Sequence, residues 1–213
     1  MITSLPNLLT VSRILVIPAL IASFYLSSPL GNWVALALFA AAGVTDWLDG
    51  HLARSRNEVS GLGRFLDPVA DKLLVAATIL MLVHVGRIDD WTILPAVLIL
   101  CREIMVSGLR EYLAELRVGM PVSRLAKWKT GVQMLAIGFL IVGDAGWHVI
   151  PVIEIGVAGL WLAATLTVFT GYDYLRLGLR HMTAPAPPTP APDQDTQPDA
   201  DLAHVRRTGT DDT

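Results

Sequence analysis

Six long apolar runs limit what this 213-residue chain can fold into. The runs lie at roughly 8–27, 33–49, 68–86, 91–113, 130–146 and 148–171. Each is close to the ~20 residues with which an α-helix crosses a hydrocarbon core ~30 Å thick. Hydrophobic residues make up 53% of the chain, and no stretch alternates as a β-strand does. The sequence therefore predicts an all-α polytopic membrane protein, a six-transmembrane-helix bundle with a short N-terminal interfacial segment at Ser4–Thr10.

The two ends of the chain need separate interpretations. The first 27 residues lack a basic segment ahead of the apolar run and lack a small-residue cleavage site, so we interpret them as a retained helix. Residues 183–213 contain six prolines and six aspartates and cannot bury enough apolar surface to fold. We expect a membrane domain at 1–182 and a disordered cytoplasmic tail at 183–213.

Lysine and arginine are distributed unevenly between the predicted loops. With six spans, both termini and the segments 50–66 and 114–129 lie on one side, which holds most of the basic residues. The opposite loops contain only Arg87. The basic side of a membrane protein faces the cytoplasm, so the termini and the segment 50–66 are predicted to be cytoplasmic. The net charge of −3 reflects the acidic tail, and no nucleic-acid partner is indicated.

Two pairs of aspartates lie at the cytoplasmic ends of apolar runs. Asp46 and Asp49 are three residues apart and Asp67 and Asp71 are four apart, so each pair shares one helix face. A single aspartate at a helix end is commonly a cap or a solvated charge. Two matched pairs joined by a short segment instead predict a carboxylate cluster, and carboxylates so close to hydrocarbon are usually functional.

The chemistry of this cluster indicates a hard divalent cation. Oxygen ligands select Mg²⁺ or Mn²⁺, and two such ions would stabilise the attacking and leaving oxygens of a displacement at phosphorus. The five histidines are scattered and Cys101 is the single cysteine, which argues against zinc and excludes an internal disulfide. No P-loop and no G-x-G-x-x-G is present, so neither ATP nor NAD is indicated.

The aspartate segment resembles the signature of the CDP-alcohol phosphotransferases. Residues 46–71 match D-x2-D-G-x2-A-R-x8-G-x3-D-x3-D without a gap. Members of that family are membrane enzymes that cleave the diphosphate of a CDP-linked donor, transfer the phosphoryl-linked group to an alcohol and release CMP. The resemblance implies a set of metal-ligating carboxylates: Asp46, Asp49, Asp67 and Asp71. It also implies that Asp71 is the general base, and that the CDP donor is contacted by Gly50, Ala53, Arg54 and Gly63.

The resemblance extends over about residues 4–175 and narrows the expected substrates. Segments around Arg13, Arg102-Glu103 and Lys127-Trp128-Lys129 are similar to the bacterial branch that makes phosphatidylglycerophosphate. This implies CDP-diacylglycerol and sn-glycerol 3-phosphate as substrates, with two Mg²⁺ or Mn²⁺ ions, in the lipid bilayer of a bacterial inner membrane. A phosphorylated acceptor needs cations outside the metal cluster, for which the candidates are Arg102, Arg110, Lys127 and Lys129. Lys127 and Lys129 would alternatively serve only to fix the cytoplasmic orientation.

Several alternatives remain open at this stage. Sister enzymes use phosphatidylglycerol, inositol phosphate or serine as acceptor, and an aspartate-rich prenyltransferase would also bind a diphosphate. A divalent-cation transporter would place its carboxylates near the midplane between inverted repeats, and neither feature is apparent. The sequence does not determine the acceptor, the metal or the acyl preference. It also leaves the oligomeric state open, a homodimer being one compatible arrangement.

Overall fold

The chain forms six α-helices and no strand within the residues that the structure describes. The computed structural model describes residues 5–56, 61–115, 124–146 and 150–182, with side chains except at 5–9, 47, 49–56, 61–65, 115, 124, 126, 127, 173, 177 and 180–182. The helices are α1 Leu5–Ser23, α2 Leu30–Arg56, α3 Gly61–His84, α4 Ile93–Glu115, α5 Arg124–Val142 and α6 Val152–Met182. Short 3-10 turns lie at Asp90–Thr92 and Gly143–Ala145. The predicted all-α class and the number of helices are confirmed.

The helices that carry the aspartates are longer than the apolar runs. Helix α2 continues to Arg56 and α3 begins at Gly61, so only 57–60 of the expected connecting segment lie outside the described helices. No proline occurs between Pro29 and Pro68, and nothing in the sequence forces α2 to end at the last apolar residue. Helix α1 already begins at Leu5, so the described part of the predicted interfacial segment belongs to this helix.

Two helices have the length and hydropathy of membrane spans within the described residues. They correspond to Asp90–Ala114 and Val152–Arg176, whereas Thr10–Ser23 and Leu30–Asp46 are apolar but shorter. Aspartates and other charged residues in part of α2 and part of α3 lower the mean hydropathy of these two helices. The helical architecture is that of a membrane protein, and the prediction of six spans stays a prediction.

Helix α6 packs closely on α5 and also on α4. Helix α1 packs across α2 and α3. At the α5–α6 contact, a Cβ added to Gly156 would lie 2.7 Å from Leu140 Cγ and 3.1 Å from the Leu140 backbone nitrogen. Small residues allow such close approach between helices. Glycine at 156 therefore sets the distance between α5 and α6.

An arginine closes the end of the bundle opposite to the aspartates. Arg87, after α3, donates from Nη1 to the carbonyl oxygens of Leu140 and Ile141 at the end of α5, at 2.8 and 2.5 Å. Burial lowers the pKa of its guanidinium, and the Asp144 carboxylate 3.9 Å away favours the charged form. A cation at a helix C-terminus satisfies its last carbonyls and complements its dipole. This contact explains a basic residue on the side where the sequence otherwise has none.

We predict that Gly156→Ala destabilises the bundle, because the new methyl group overlaps Leu140 and the helices must separate. The expected loss is about 1–3 kcal/mol, as for overpacking in a close-packed core. Thermal unfolding in one detergent measures it. Gly131→Ala is the matched control, because a Cβ there meets nothing within 4 Å. The control should be neutral or more stable, and equal unfolding midpoints for the two variants would contradict this account of the contact.

Candidate active site

The aspartates occupy one end of two neighbouring helices. Asp46 lies in the C-terminal half of α2, and Asp67 and Asp71 lie in the second and third turns of α3. The helical backbone at 46–49 and 67–71 places each pair on one face, as the spacing predicts. Asp46 and Asp71 are close enough for their charges to interact. The side chain of Asp49 lies outside the described residues.

Helix α1 provides polar partners for one carboxylate on each aspartate helix. Arg13 is fully buried, and its Nη1 lies 2.6 Å from Asp46 Oδ1. Thr10, three residues earlier and on the same face of α1, donates from Oγ1 to Asp67 Oδ1. A buried guanidinium beside a carboxylate is stable because the two charges compensate each other. The first helix therefore holds α2 and α3 together through their aspartates.

Asp71 lines a cavity of about 170 Å³ between α3, α4 and α5, whose wall is mostly apolar with a few polar side chains. The polar residues that share this cavity with it are Lys72, Glu103, Thr130 and Gln133. Lys72 donates from Nζ to the carbonyl oxygen of Pro68, 2.9 Å away on its own helix. The cavity is too small to enclose a lipid and suits a small polar molecule. It brings a carboxylate of the signature into contact with a space that such a molecule can enter.

An apolar groove of about 520 Å³ lies between α2 and α5. Phe39 and Gly43 of α2 face Met134 and Phe139 of α5 across it. Gly43 is one helical turn before Asp46, so the groove ends beside the aspartates. Met134 lines both the groove and the cavity. An apolar groove and a smaller cavity that carries polar side chains thus meet at the same end of the bundle.

Two of the four cations predicted to bind the acceptor share one carboxylate. Lys129 is buried, and its Nζ contacts Oε1 of Glu103, as does Nη1 of Arg102 at 3.3 Å. Arg102 also donates from Nη2 to Thr170 Oγ1, 3.1 Å away, and lies over the Tyr174 ring, 5.7 Å from its centroid. Glu103 therefore compensates the charges of two residues that the sequence predicts to bind the acceptor's phosphate.

Of the remaining predicted substrate-binding residues, only Arg110 has a described side chain. Arg110 is exposed on α4 and is close enough to Lys72 and Arg102 for their charges to interact. The side chains of Lys127 and of the predicted donor contacts lie outside the described residues; these donor contacts are Gly50, Ala53, Arg54 and Gly63. No group of three or more potential metal ligands is close together within the described residues.

Sequence reasoning did not assign a role at the site to Thr10, Arg13, Lys72 or Gln133. Arg13 carried a usable signal, because a charge inside an apolar run is rare unless it is paired. Thr10, three residues before it, pointed to the same face of the helix. Lys72 and Gln133 gave no comparable signal, since a polar residue next to a motif is common. Their places depend on how α3 and α5 pack.

Comparison with known proteins agrees with the signature. A family model described as CDP-alcohol phosphatidyltransferase matches residues 3–169. This chain belongs to the CDP-alcohol phosphatidyltransferase family, whose members generally use divalent metal ions.

Curated relatives match most of the chain. A protein from Rickettsia bellii is 47% identical over 173 residues, which cover 81% of this chain and 94% of the relative. Proteins from Haemophilus influenzae and Cereibacter sphaeroides are 40% and 36% identical, covering 82% and 84% of this chain and 92% and 97% of the relatives. All three are named CDP-diacylglycerol–glycerol-3-phosphate 3-phosphatidyltransferase.

The ion pair between Arg13 of α1 and Asp46 of α2 predicts that substitutions at these two positions change the stability of the protein non-additively. Asp46→Asn leaves the buried Arg13 charge without its carboxylate, so it should destabilise the protein. In the Arg13→Met background the same change should cost less. We expect a coupling of about 1 kcal/mol, since solvent screens a carboxylate that is 47% exposed. Thermal unfolding of the four proteins measures it.

Thr165→Val provides the matched control for this cycle. Its hydroxyl donates to the Trp161 carbonyl oxygen within α6, away from the aspartates. Its effect should add to that of Asp46→Asn, because distant sites are independent. Additivity of Arg13→Met and Asp46→Asn within measurement error would show that this ion pair does not stabilise the fold.

Proposed function

We propose that this protein transfers the phosphatidyl group of CDP-diacylglycerol to sn-glycerol 3-phosphate, giving phosphatidylglycerophosphate and CMP. The observation that carries the proposal is the meeting of two compartments at the signature aspartates. The apolar groove beside Asp46 suits a lipid donor, and the smaller cavity beside Asp71, with charged and polar side chains on its wall, suits a small phosphorylated alcohol. The names of relatives at 36–47% identity support the same pair of substrates.

The acyl chains of the donor would lie in the groove between α2 and α5. Its lining is apolar, so burying lipid chains there gains free energy without desolvating polar groups. Acyl chains in this groove would bring the diphosphate of the donor to Asp46 and Asp49 of α2. We propose that the cytidine diphosphate is contacted by the signature positions Gly50, Ala53, Arg54 and Gly63. Gly50 has no Cβ to obstruct a nucleotide that approaches the backbone.

The donor set fits a hard divalent cation by its chemistry. Asp46, Asp67 and Asp71 supply carboxylate oxygens from two adjacent helices, and Asp49 adds a fourth carboxylate to the same sequence pattern. We propose that these four aspartates hold Mg²⁺ or Mn²⁺, as two ions. A bound divalent cation would neutralise the diphosphate and stabilise charge on the leaving CMP. Arg13 and Thr10 would orient Asp46 and Asp67, in the manner of outer-shell partners.

Asp71 is the proposed general base. It accepts the proton of the acceptor's primary hydroxyl while that oxygen forms a bond to the phosphorus of the phosphatidyl group. The bond from this phosphorus to the bridging oxygen of the diphosphate breaks, and CMP leaves with the electron pair. Asp71 lines the cavity in which the acceptor would bind, as this role requires, since a base must be within hydrogen-bond reach of the proton.

Four cations are proposed to attract the acceptor's phosphate: Arg102, Arg110, Lys127 and Lys129. Glu103 already compensates Arg102 and Lys129, so these two would share an entering phosphate with a carboxylate. Arg110 is exposed on α4, and Lys72 of α3 is close enough for the two charges to interact. We therefore expect Arg110 to make the largest contribution to binding the phosphate, with Lys72 adding positive charge.

The proposed setting is a bacterial inner membrane, crossed six times, with the termini and the site on the cytoplasmic side. Its support is the excess of Lys and Arg in the segments near the aspartates. The proposed catalytic domain spans 1–182, and the proposed tail, 183–213, lies outside the described residues. A homodimer is compatible with this arrangement and is not required by it.

The substrates can be tested directly with purified protein in mixed micelles containing CDP-diacylglycerol. Release of CMP should depend on sn-glycerol 3-phosphate, and serine, inositol phosphate and phosphatidylglycerol should give no more than background. Because the donor set consists of carboxylates, EDTA should abolish turnover and Mg²⁺ or Mn²⁺ should restore it. Turnover with one of the other acceptors alone would reassign the protein within its family, and full turnover in EDTA would exclude the metal.

The role of Asp71 predicts a separation of turnover from donor binding. Asp71→Asn keeps the size of the side chain and removes the base, so turnover should fall at least ~100-fold. Donor binding, measured with CDP-diacylglycerol in the same micelles, should persist because three signature aspartates remain. Glu154→Gln, the same chemical change on an exposed residue at the opposite end of the bundle, is the control. Asp71→Asn with more than a tenth of wild-type turnover would exclude this role.

A further inference from the structure

Gln133 has an unusual environment in the cavity that Asp71 lines. It lies on α5 and is only 4% exposed, and its side chain shares the lining of the cavity with Asp71. Its Oε1 is buried and accepts no hydrogen bond from the described protein groups. Buried amide groups in native proteins nearly always have a partner. Rotation of the amide about its last side-chain bond would bring this oxygen to the cavity that Gln133 lines, where a ligand can supply the partner.

The neighbours of Gln133 do not occupy its amide. Lys129, one turn earlier on the same face of α5, contacts Glu103 of α4. Glu103 in turn accepts from both Lys129 and Arg102, so these two cations already have an anionic partner. Gln133 is uncharged and offers both an acceptor oxygen and two donor hydrogens. A 180° rotation of the amide exchanges these two functions at the cavity surface.

The chemistry of an amide selects which part of an acceptor it recognises. The amide oxygen of Gln133 needs a hydrogen-bond donor, which a phosphate dianion does not provide, and Arg110 and Lys72 are better partners for that group. A hydroxyl group both donates and accepts, and therefore matches an amide in either orientation. Glycerol 3-phosphate has two hydroxyls, of which the primary one attacks. The secondary hydroxyl then needs a partner inside the cavity.

We propose, on the basis of the proposed function, that Gln133 is a specificity-determining residue that hydrogen-bonds the secondary hydroxyl of glycerol 3-phosphate. Gln133 of α5 and Asp71 of α3 line one cavity of about 170 Å³. An acceptor held at its phosphate by cations and at its secondary hydroxyl by Gln133 has its primary hydroxyl directed toward Asp71. The amide then distinguishes this acceptor from phosphorylated alcohols that lack the secondary hydroxyl.

The test compares glycerol 3-phosphate with 3-hydroxypropyl phosphate, which lacks only the secondary hydroxyl. Wild-type protein should use glycerol 3-phosphate with a kcat/KM about 10- to 100-fold higher, the range expected for one hydrogen bond with a buried group. Gln133→Met, which conserves length, should lose most of this preference. The loss should come from glycerol 3-phosphate alone, because the deoxy acceptor never used the amide. The KM for CDP-diacylglycerol should change less than about twofold.

Met134→Leu is the matched control. Met134 is adjacent to Gln133 and lines the same cavity, but its substitution removes no hydrogen bond. Any change in cavity shape should affect the two acceptors equally, so the ratio of their kcat/KM values should stay at the wild-type value. Gln133→Leu provides a second apolar variant in case the first does not fold.

The possible results separate the inference from the proposed function. Wild-type protein that does not turn over glycerol 3-phosphate would overturn both. Wild-type protein that turns over both acceptors equally well would overturn only the role of Gln133, without reference to any variant. An unchanged preference in the Gln133 variants, or an equal loss for both acceptors, would likewise show that the amide does not read the secondary hydroxyl. A preference that disappears only in the Gln133 variants supports the proposal.

Discussion

The buried contact between Arg13 and Asp46 is the interaction on which the rest of the site depends. A carboxylate at the end of an apolar helix loses hydration and needs a positive or hydrogen-bonding partner. Arg13 of α1 supplies that partner to Asp46. Thr10, one turn before Arg13 on the same helix, donates its hydroxyl hydrogen to Asp67. Because both contacts originate on one helix face, α1 fixes the positions of α2 and α3 relative to each other. The first helix is therefore part of the site as well as of the membrane domain.

The fixed helix positions create two compartments that differ in their polar side chains. Helices α2 and α5 leave an apolar groove, and α3, α4 and α5 leave a smaller cavity with charged and polar side chains on its wall, with Met134 between them. A reaction between a lipid-linked donor and a water-soluble acceptor needs this division, because no single environment suits both substrates. The close packing of α5 on α6 at Gly156 supports the arrangement from behind, since α5 contributes to both compartments.

Much of the fold was predictable because its determinants are local. Apolar runs of about 20 residues determine the number of helices, and spacings of three and four residues determine which aspartates share a face. Helix ends were less predictable: α2 continues past its apolar run to Arg56, since helix propensity and the absence of proline act without regard to hydropathy. The contact between Thr10 and Asp67, 57 residues apart, depends on the packing of α1 on α3. Sequence spacing alone carries no information about such a contact.

The acceptor end of the site shows why charge counting was insufficient. The sequence predicts Lys129 and Arg102 as phosphate ligands because a phosphorylated acceptor needs cations outside the metal cluster. In the structure both contact Glu103, and Lys129 is buried by this pairing. A buried cation with a carboxylate partner stabilises helix positions and contributes less free charge to a ligand. We therefore expect recognition of the acceptor to depend less on the number of positive charges than on two groups that have no partner among the described residues, the exposed Arg110 and the amide oxygen of Gln133.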